Sequence, residues 1–466
     1  MANTTNGLLT TQALSVLAEI VYISTSVGAS TAFAANAYAF IGKVDSWTDD
    51  NNPPVPQQSQ SYIKQVAKNI VAAKQITTSS SSPVIPRYDW TSGDVYVPYT
   101  DYQNMFLFDG NGVMNNIFYV RNRYDQVFKC LGNNNGGDSF VEPVLKPGAT
   151  DTTQVLYLSD GYKWIYMYTI DKGLKKSFFD AQWMPVYIGI STPNTLTAAK
   201  FGSIDVINVT ANGSNYTDGT ATTTVTIKGD GDGAAGYANA SGGVISDVIM
   251  TNTGNNYTYA TVTIATATTN GSGATANAII SPIGGHALDP ITELGCNHIM
   301  LTAEFDNSES TVISSTLSSQ PYLPTNISFR QVGLLITPID NTGNAASLPV
   351  YNTCDYVGLS TGSGTYTSGE KVYQGSSYTT ALNSGFVATV VSHDTTNNLV
   401  SLINTDGTYT LGQPLLGFTS GTSRVMLQYS PTLFNVGSGS LIYIENRSSV
   451  QRNANGNEQI RMVLRF

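Results

Sequence analysis

The side chains in this sequence best suited to bind a metal or attack a substrate are three histidines and three cysteines. His286, His298 and His393 lie far apart. Cys296-Asn297-His298 brings only two soft ligands close, whereas a zinc site needs three or four that converge. Cys130, Cys296 and Cys354 are odd in number, widely spaced and without a Cys-x-x-Cys pair, a pattern that predicts buried free thiols in a protein folded in a reducing cytosol. Gly437-Ser438-Gly439 is a fragment of the Gly-x-Ser-x-Gly turn that exposes a nucleophilic serine, and no Walker loop occurs. Gly229-Asp230-Gly231-Asp232-Gly233 has the outline of a calcium-binding turn, but the acidic residue that completes an EF-hand loop does not follow, so a tight turn is expected. Glycoside hydrolysis needs two carboxylates at a set separation; the 32 Asp and Glu could supply them, yet no segment points to a pair. The expectation is a protein with no catalytic residue, no cofactor and no metal, and not an enzyme.

Contact chemistry is better represented. Arg87, Asp89 and Trp90 follow Pro86 in an extended stretch, where Arg87 and Asp89 share a face at i and i+2. Arginine and tryptophan are frequent interface anchors, so these residues read either as a lock on a neighbouring subunit or as a brace within the chain. Trp47 sits at the root of an acidic loop with Asp45, Asp49 and Asp50, which reads either as solvated charge at a helix N-terminus or as a salt bridge to a neighbouring subunit. Arg330 and Arg447, the latter in Glu445-Asn446-Arg447, complete the interface candidates. Only 12% of residues are charged, against ~25% in ordinary globular chains, so Ser, Thr, Asn, Gln and Gly must cover the surface. Such a surface loses little side-chain entropy when it packs against a partner. The net charge of −10 disfavours nucleic acid phosphates.

Positioning these residues falls to a mainly β chain with two or three N-terminal helices. The 466 residues exceed what one core supports, and two to four domains are expected. Residues 11–24 read as a helix, with Leu14, Leu17, Ile20 and Val21 on one face, and 57–75 as a second, with Ile63, Val66, Ile70 and Val71. Residues 38–44 read as a strand, and 79–82 as a flexible link. Strands are expected at 96–102, 105–108, 117–120, 126–131 and 164–170. Serines and Glu19 break the apolar stretch 13–23, so neither a signal peptide nor a membrane span is expected.

Residues 203–281 contain a repeat. Asp205-Val206-Ile207 returns as Asp247-Val248-Ile249, Asn212-Gly213-Ser214-Asn215-Tyr216 as Thr253-Gly254-Asn255-Asn256-Tyr257, and Val225-Thr226-Ile227 as Val262-Thr263-Ile264. Two units of strand, turn and strand packed face to face would make a small β module. Short strands with regular turns over 357–427 suggest a small barrel. A strand at 329–337 follows a loop at 314–324. Residues 441–445 and 458–466 read as a C-terminal hairpin, in which Ile460, Met462, Leu464 and Phe466 alternate with Arg461, Val463 and Arg465. The expected division is a core of 1–202, 283–356 and 429–466, interrupted by modules at 203–282 and 357–428.

Four segments then occur in a telling order: Val84-Ile85-Pro86-Arg87-Tyr88-Asp89-Trp90, Asp160-Gly161-Tyr162-Lys163-Trp164, Phe329-Arg330-Gln331-Val332 and Leu441-Ile442-Tyr443-Ile444-Glu445-Asn446-Arg447. Together with 38–47 and Val127-Phe128-Lys129-Cys130-Leu131, they resemble the baseplate wedge protein family of T-even-type contractile-tailed phages, the gene 8 product family. The resemblance covers roughly 36–200, 285–355 and 430–466; the two modules have no counterpart in the T-even pattern. It implies a mostly β structural subunit that forms a homodimer, contacts other wedge proteins in the virion tail baseplate, and is assembled in the host cytoplasm. It implies no cofactor and no catalysis, while the negative charge and the lack of a long apolar run lead us to expect no nucleic acid partner and no membrane insertion. An alternative is a receptor- or glycan-binding tail protein, motivated by Tyr216, Tyr257 and Tyr373 beside glycine turns.

Overall fold

A computed structural model describes residues 5–21, 36–108, 114–146, 155–186, 201–265, 271–282, 285–309 and 323–466. The chain is mainly β and includes a closed barrel. It divides into two compact units: Met1–Leu14, Ser82–Met300 and Val463–Phe466 form the first, and Ser15–Ser81 with Leu301–Met462 the second.

In the second unit a five-stranded antiparallel sheet runs Val350–Asn352, Ile70–Gln75, Ala37–Gly42, Ile327–Ile336, Ser440–Arg452. All of Ala37–Gly42 is buried, as its unbroken apolar sequence dictates for a strand covered on both faces. The helix expected over 57–75 covers only Gln60–Lys68, capped by Ser59, whose side chain accepts from the Tyr62 amide. Asn69 ends it, and Ile70–Gln75 is a strand. Ile70 and Val71 fit a helical stripe and a strand buried on both faces equally well, and pairing to Ala37–Gly42 decides between them. That pairing is close: a Cβ on Gly42 would lie 2.6 Å from the Asn69 carbonyl oxygen.

The barrel is continuous in sequence. Its strands Asp355–Leu359, Lys371–Gln374, Phe386–Asp394, Leu399–Asp406, Pro414–Gly417 and Ser423–Ser430 close around Val357, Val372, Phe386, Val390, Leu402, Leu415 and Met426. Each such side chain contributes about 1.5–3 kcal/mol on full burial.

The first unit holds a four-stranded sheet ordered Tyr119–Arg121, Gln126–Asn133, Tyr162–Thr169, Leu156–Tyr157. The strand expected at 96–102 is absent: Val97 and Tyr99 donate their amides to the Ile117 and Cys130 carbonyls without forming a ladder. At 105–108 only one bridge forms, between Phe108 and Met114.

The repeat builds one six-stranded sheet, ordered Ala260–Ala265, Gly219–Gly229, Asp232–Ser241, Val244–Asn255, Ile204–Ser214, Ser272–Ile280. The two copies therefore interleave in one sheet rather than stacking as separate units: Ile204–Ser214 of the first copy lies between Val244–Asn255 and Ser272–Ile280 of the second. The end strands of that order also lie against each other, so exchanging the copies reproduces every neighbour relation. The turns match as well. Gly213 and Gly254 have φ of 63° and 61°, and a Cβ on either would lie 2.5 Å from backbone atoms of the facing strand. Tyr216 accepts from the Ala274 amide at 3.2 Å and Tyr257 from the Ala234 amide at 3.3 Å.

The expected C-terminal hairpin does not form. Ser440–Arg452 pairs with Ile327–Ile336, while Glu458–Arg465 lies beside His298–Phe305 in a separate sheet. Alternation correctly marks Ile460 and Met462 as buried, but a one-sided strand can join any edge that offers an apolar face. Most of the loop expected at 314–324 lies outside the described residues.

Candidate functional site

Three of the interface candidates meet in the second unit. Arg330, buried on its strand, donates to both carboxylate oxygens of Asp50 at 2.8 and 2.7 Å, to the Val44 carbonyl at 2.7 Å and to Ser46 at 3.2 Å. Those hydrogen bonds hold the Asp50 carboxyl below the usual carboxylate range. Asp50 also accepts from the Trp47 amide, and Trp47 Nε1 donates to the Arg447 carbonyl at 3.1 Å. Lys43 lies 4.3 Å from the Trp47 ring centroid and 3.0 Å from Asp45. Arg447 faces Glu445 at 3.6 Å, with both half exposed. The acidic loop is thus strapped to two strands of its own unit.

An open groove of about 350 Å³ adjoins this loop. Asp45 and Ser46 line it with Ile327, Ser328 and Gln451 of the five-stranded sheet and Thr367, Ser368, Glu370 and Thr419 of the barrel. Glu370 is buried, and its carboxylate accepts the amides of Thr367, Thr419 and Ser420 at 2.6, 3.1 and 2.9 Å.

Arg87, Asp89 and Trp90 belong to the first unit and do not meet the other three. Arg87 Nε donates to Asp89 at 3.0 Å, Arg121 donates to Asp89 at 2.9 Å and to Asp125 at 2.8 Å, and Lys175 reaches Asp125 at 2.8 Å. Burial pushes the Asp89 and Asp125 carboxyls up, but these cations outweigh it and bring both below the usual range. All three cations ring Phe179, at 4.4, 4.8 and 5.2 Å from its centroid. Trp90 Nε1 donates to Ser139 at 3.0 Å. The i, i+2 pairing anticipated for Arg87 and Asp89 forms, within the chain.

Sequence reasoning missed a buried charge cluster in the first unit. Lys129 is fully buried on Gln126–Asn133, ion-paired with Glu293 at the end of the short helix Pro290–Glu293, and lies 4.5 Å from the Tyr99 ring centroid. His286 lies between Glu293 and Asp205, 3.7 Å from each, too far for hydrogen bonds from either ring nitrogen. Burial, then the charge of Lys129, pushes the His286 pKa down. Nearby, Lys163 binds Asp247 at 2.6 Å and the Ile207 carbonyl at 3.0 Å. Asp205 and Asp247 are equivalent in the repeat, so each copy presents one carboxylate to a basic side chain of the first unit, His286 for one and Lys163 for the other. Two sequence signals existed: a lysine inside the apolar run Val127-Phe128-Lys129-Cys130-Leu131, and an aspartate recurring at one repeat position.

The remaining candidates have structural surroundings. His298 lies 4.6 Å from the Trp183 ring, and burial pushes its pKa to about 4. His393 accepts from the Tyr366 amide and faces Arg424. Cys130, Cys296 and Cys354 are buried free thiols, and burial pushes Cys296 up to about 12. Asp230 closes its turn by accepting the Thr258 and Tyr259 amides. Tyr216 and Tyr257 are buried and Tyr373 is half-buried, so the two repeat tyrosines offer no ring face to a sugar. Among the described residues, no three His, Cys, Asp or Glu side chains gather where they could hold a metal ion. The polar groups singled out from sequence thus act mainly as braces within each unit. A scan of the chain against protein-family models matches none, and a search of curated proteins finds no match.

Proposed function

We propose that this chain is a structural subunit of a contractile phage tail baseplate wedge, a homodimeric scaffold that joins neighbouring wedge subunits in the virion. On this reading the modules at 203–282 and 357–428 are inserted into a wedge core that carries N-terminal helices, and the protein is not an enzyme. One observation carries the proposal: all four segments of the resemblance supply braces. Arg87 and Asp89 anchor the ring around Phe179. Asp160 accepts the Phe140, Val141 and Tyr162 amides. Arg330 straps the Asp50 loop, and Asn446 donates to the Pro54 carbonyl at 2.7 Å. Such investment suits a part that transmits force by shape. The charge-poor surface supports it further, because few ions need desolvation when subunits pack.

The test is native mass spectrometry of the full chain at micromolar concentration, with peptide mapping of purified tails. A dimer, with an interface on the order of 2,000 Å² or more, and recovery of the chain from tails are expected. A strict monomer missing from tails would refute the reading.

A further inference from the structure

We propose that the groove of the second unit binds a neutral oligosaccharide, a ligand class beyond the scaffold role. The charges on its walls are already compensated. Lys43 meets Asp45, Asp50 meets Arg330, and three backbone amides meet Glu370. An ionic ligand would find no free counter-charge there, and the net charge of −10 repels acidic glycans. Neutral groups remain. The hydroxyls of Thr367, Ser368 and Thr419 make no hydrogen bond among the described residues, and these three side chains are exposed. Gln451 accepts from Ser328 through its carbonyl oxygen, which leaves its amide nitrogen to donate outward. These donors and acceptors stand on strands and tight turns, so ordering them costs little.

Apolar surface is present too. Phe418, next in the chain to the lining residue Thr419, is 62% exposed, with the Tyr378 ring 5.2 Å away, so the segment that reaches the groove also carries an exposed aromatic face. A volume of about 350 Å³ falls at the small end of ligand clefts, roughly 300–1,000 Å³, and suits a short glycan better than a protein partner.

The experiment is saturation-transfer-difference NMR and calorimetry on the full chain. The probes are neutral malto-, cello- and chito-oligosaccharides of two to six units, with sialylated and polygalacturonate oligosaccharides as the acidic arm. Binding of at least one neutral series is expected, weakened at least tenfold by Ser368→Trp and several-fold by Phe418→Ala. Tyr259→Ala, an exposed aromatic of the other unit, should leave it unchanged. Ser368 and Phe418 are exposed, and unaltered melting curves would establish that their variants fold. Absence of transfer from every neutral probe, preference for the acidic arm, or binding that survives Ser368→Trp would overturn the proposal. The dimer and tail measurements are independent of these outcomes.

Discussion

Replacing Lys129 by methionine removes the cation from a site with no solvent to replace it. Its partner Glu293 is 4% exposed, and the nearest remaining base is His286, which burial holds neutral. Breaking a buried ion pair by deleting one partner costs about 3–5 kcal/mol, because the surviving charge is stranded. At ~2–4 °C per kcal/mol for domains of 150–250 residues, the melting temperature of the first unit should fall by roughly 6–20 °C. Glu293→Leu alone should cost a similar amount. The double variant Lys129→Met/Glu293→Leu strands neither charge and should recover most of the loss. Urea denaturation followed by tryptophan fluorescence measures this well, since Trp90, Trp164 and Trp183 belong to the first unit and only Trp47 to the second. A Trp47→Phe background isolates the signal. Single variants within 1 kcal/mol of the parent, or a double variant costing the sum of the singles, would refute the reasoning.

Acid should weaken the first unit. His286 and His298 both have folded-state pKa values lowered by burial, so the unfolded chain binds protons that the native one resists. Their contribution is full above ~6.5, where for His298 it amounts to about 3 kcal/mol, and it is lost as pH falls toward the folded-state value of about 4. Melting temperatures from pH 7.5 to 4 should show the decline, and His298→Phe should flatten it. Arg330→Met should destabilise the second unit by ~1.5–3 kcal/mol, because it removes charge-assisted hydrogen bonds from a partly exposed Asp50, and Trp47 fluorescence reports it. Tyr216→Phe and Tyr257→Phe should each cost about 1 kcal/mol in denaturant titrations. Gly213→Ala and Gly254→Ala should each cost more, at roughly 1–3 kcal/mol or above, and members of each pair should match within error.

Local signals were legible where one residue type had one structural use. The repeat was visible because Gly-x-Asn-Tyr turns need left-handed backbone at fixed places, and Asn215 and Asn256 both have φ of 61°. The barrel was visible from its turn spacing. Arg87 and Asp89 were legible as a pair because extended backbone puts i and i+2 on one face. The misreadings came where long-range pairing decides. Ile70 and Val71 satisfied two periodicities, and the last two strands joined edges that no local pattern names. The Lys129–Glu293 pair spans 164 residues, and the groove is assembled from five separate stretches of chain, so neither could be read as a motif.

The six-stranded sheet has an implication for ancestry. Since swapping its halves leaves the neighbour map unchanged, one half alone exposes raw strand edges of the kind that an identical half covers. A polypeptide carrying a single copy would have met this need by self-association, with a second molecule supplying the missing strands. Tandem fusion would then have made a bimolecular encounter intramolecular. It would also have freed Asp205 and Asp247 to diverge in their surroundings, one facing an imidazole and the other an ammonium group.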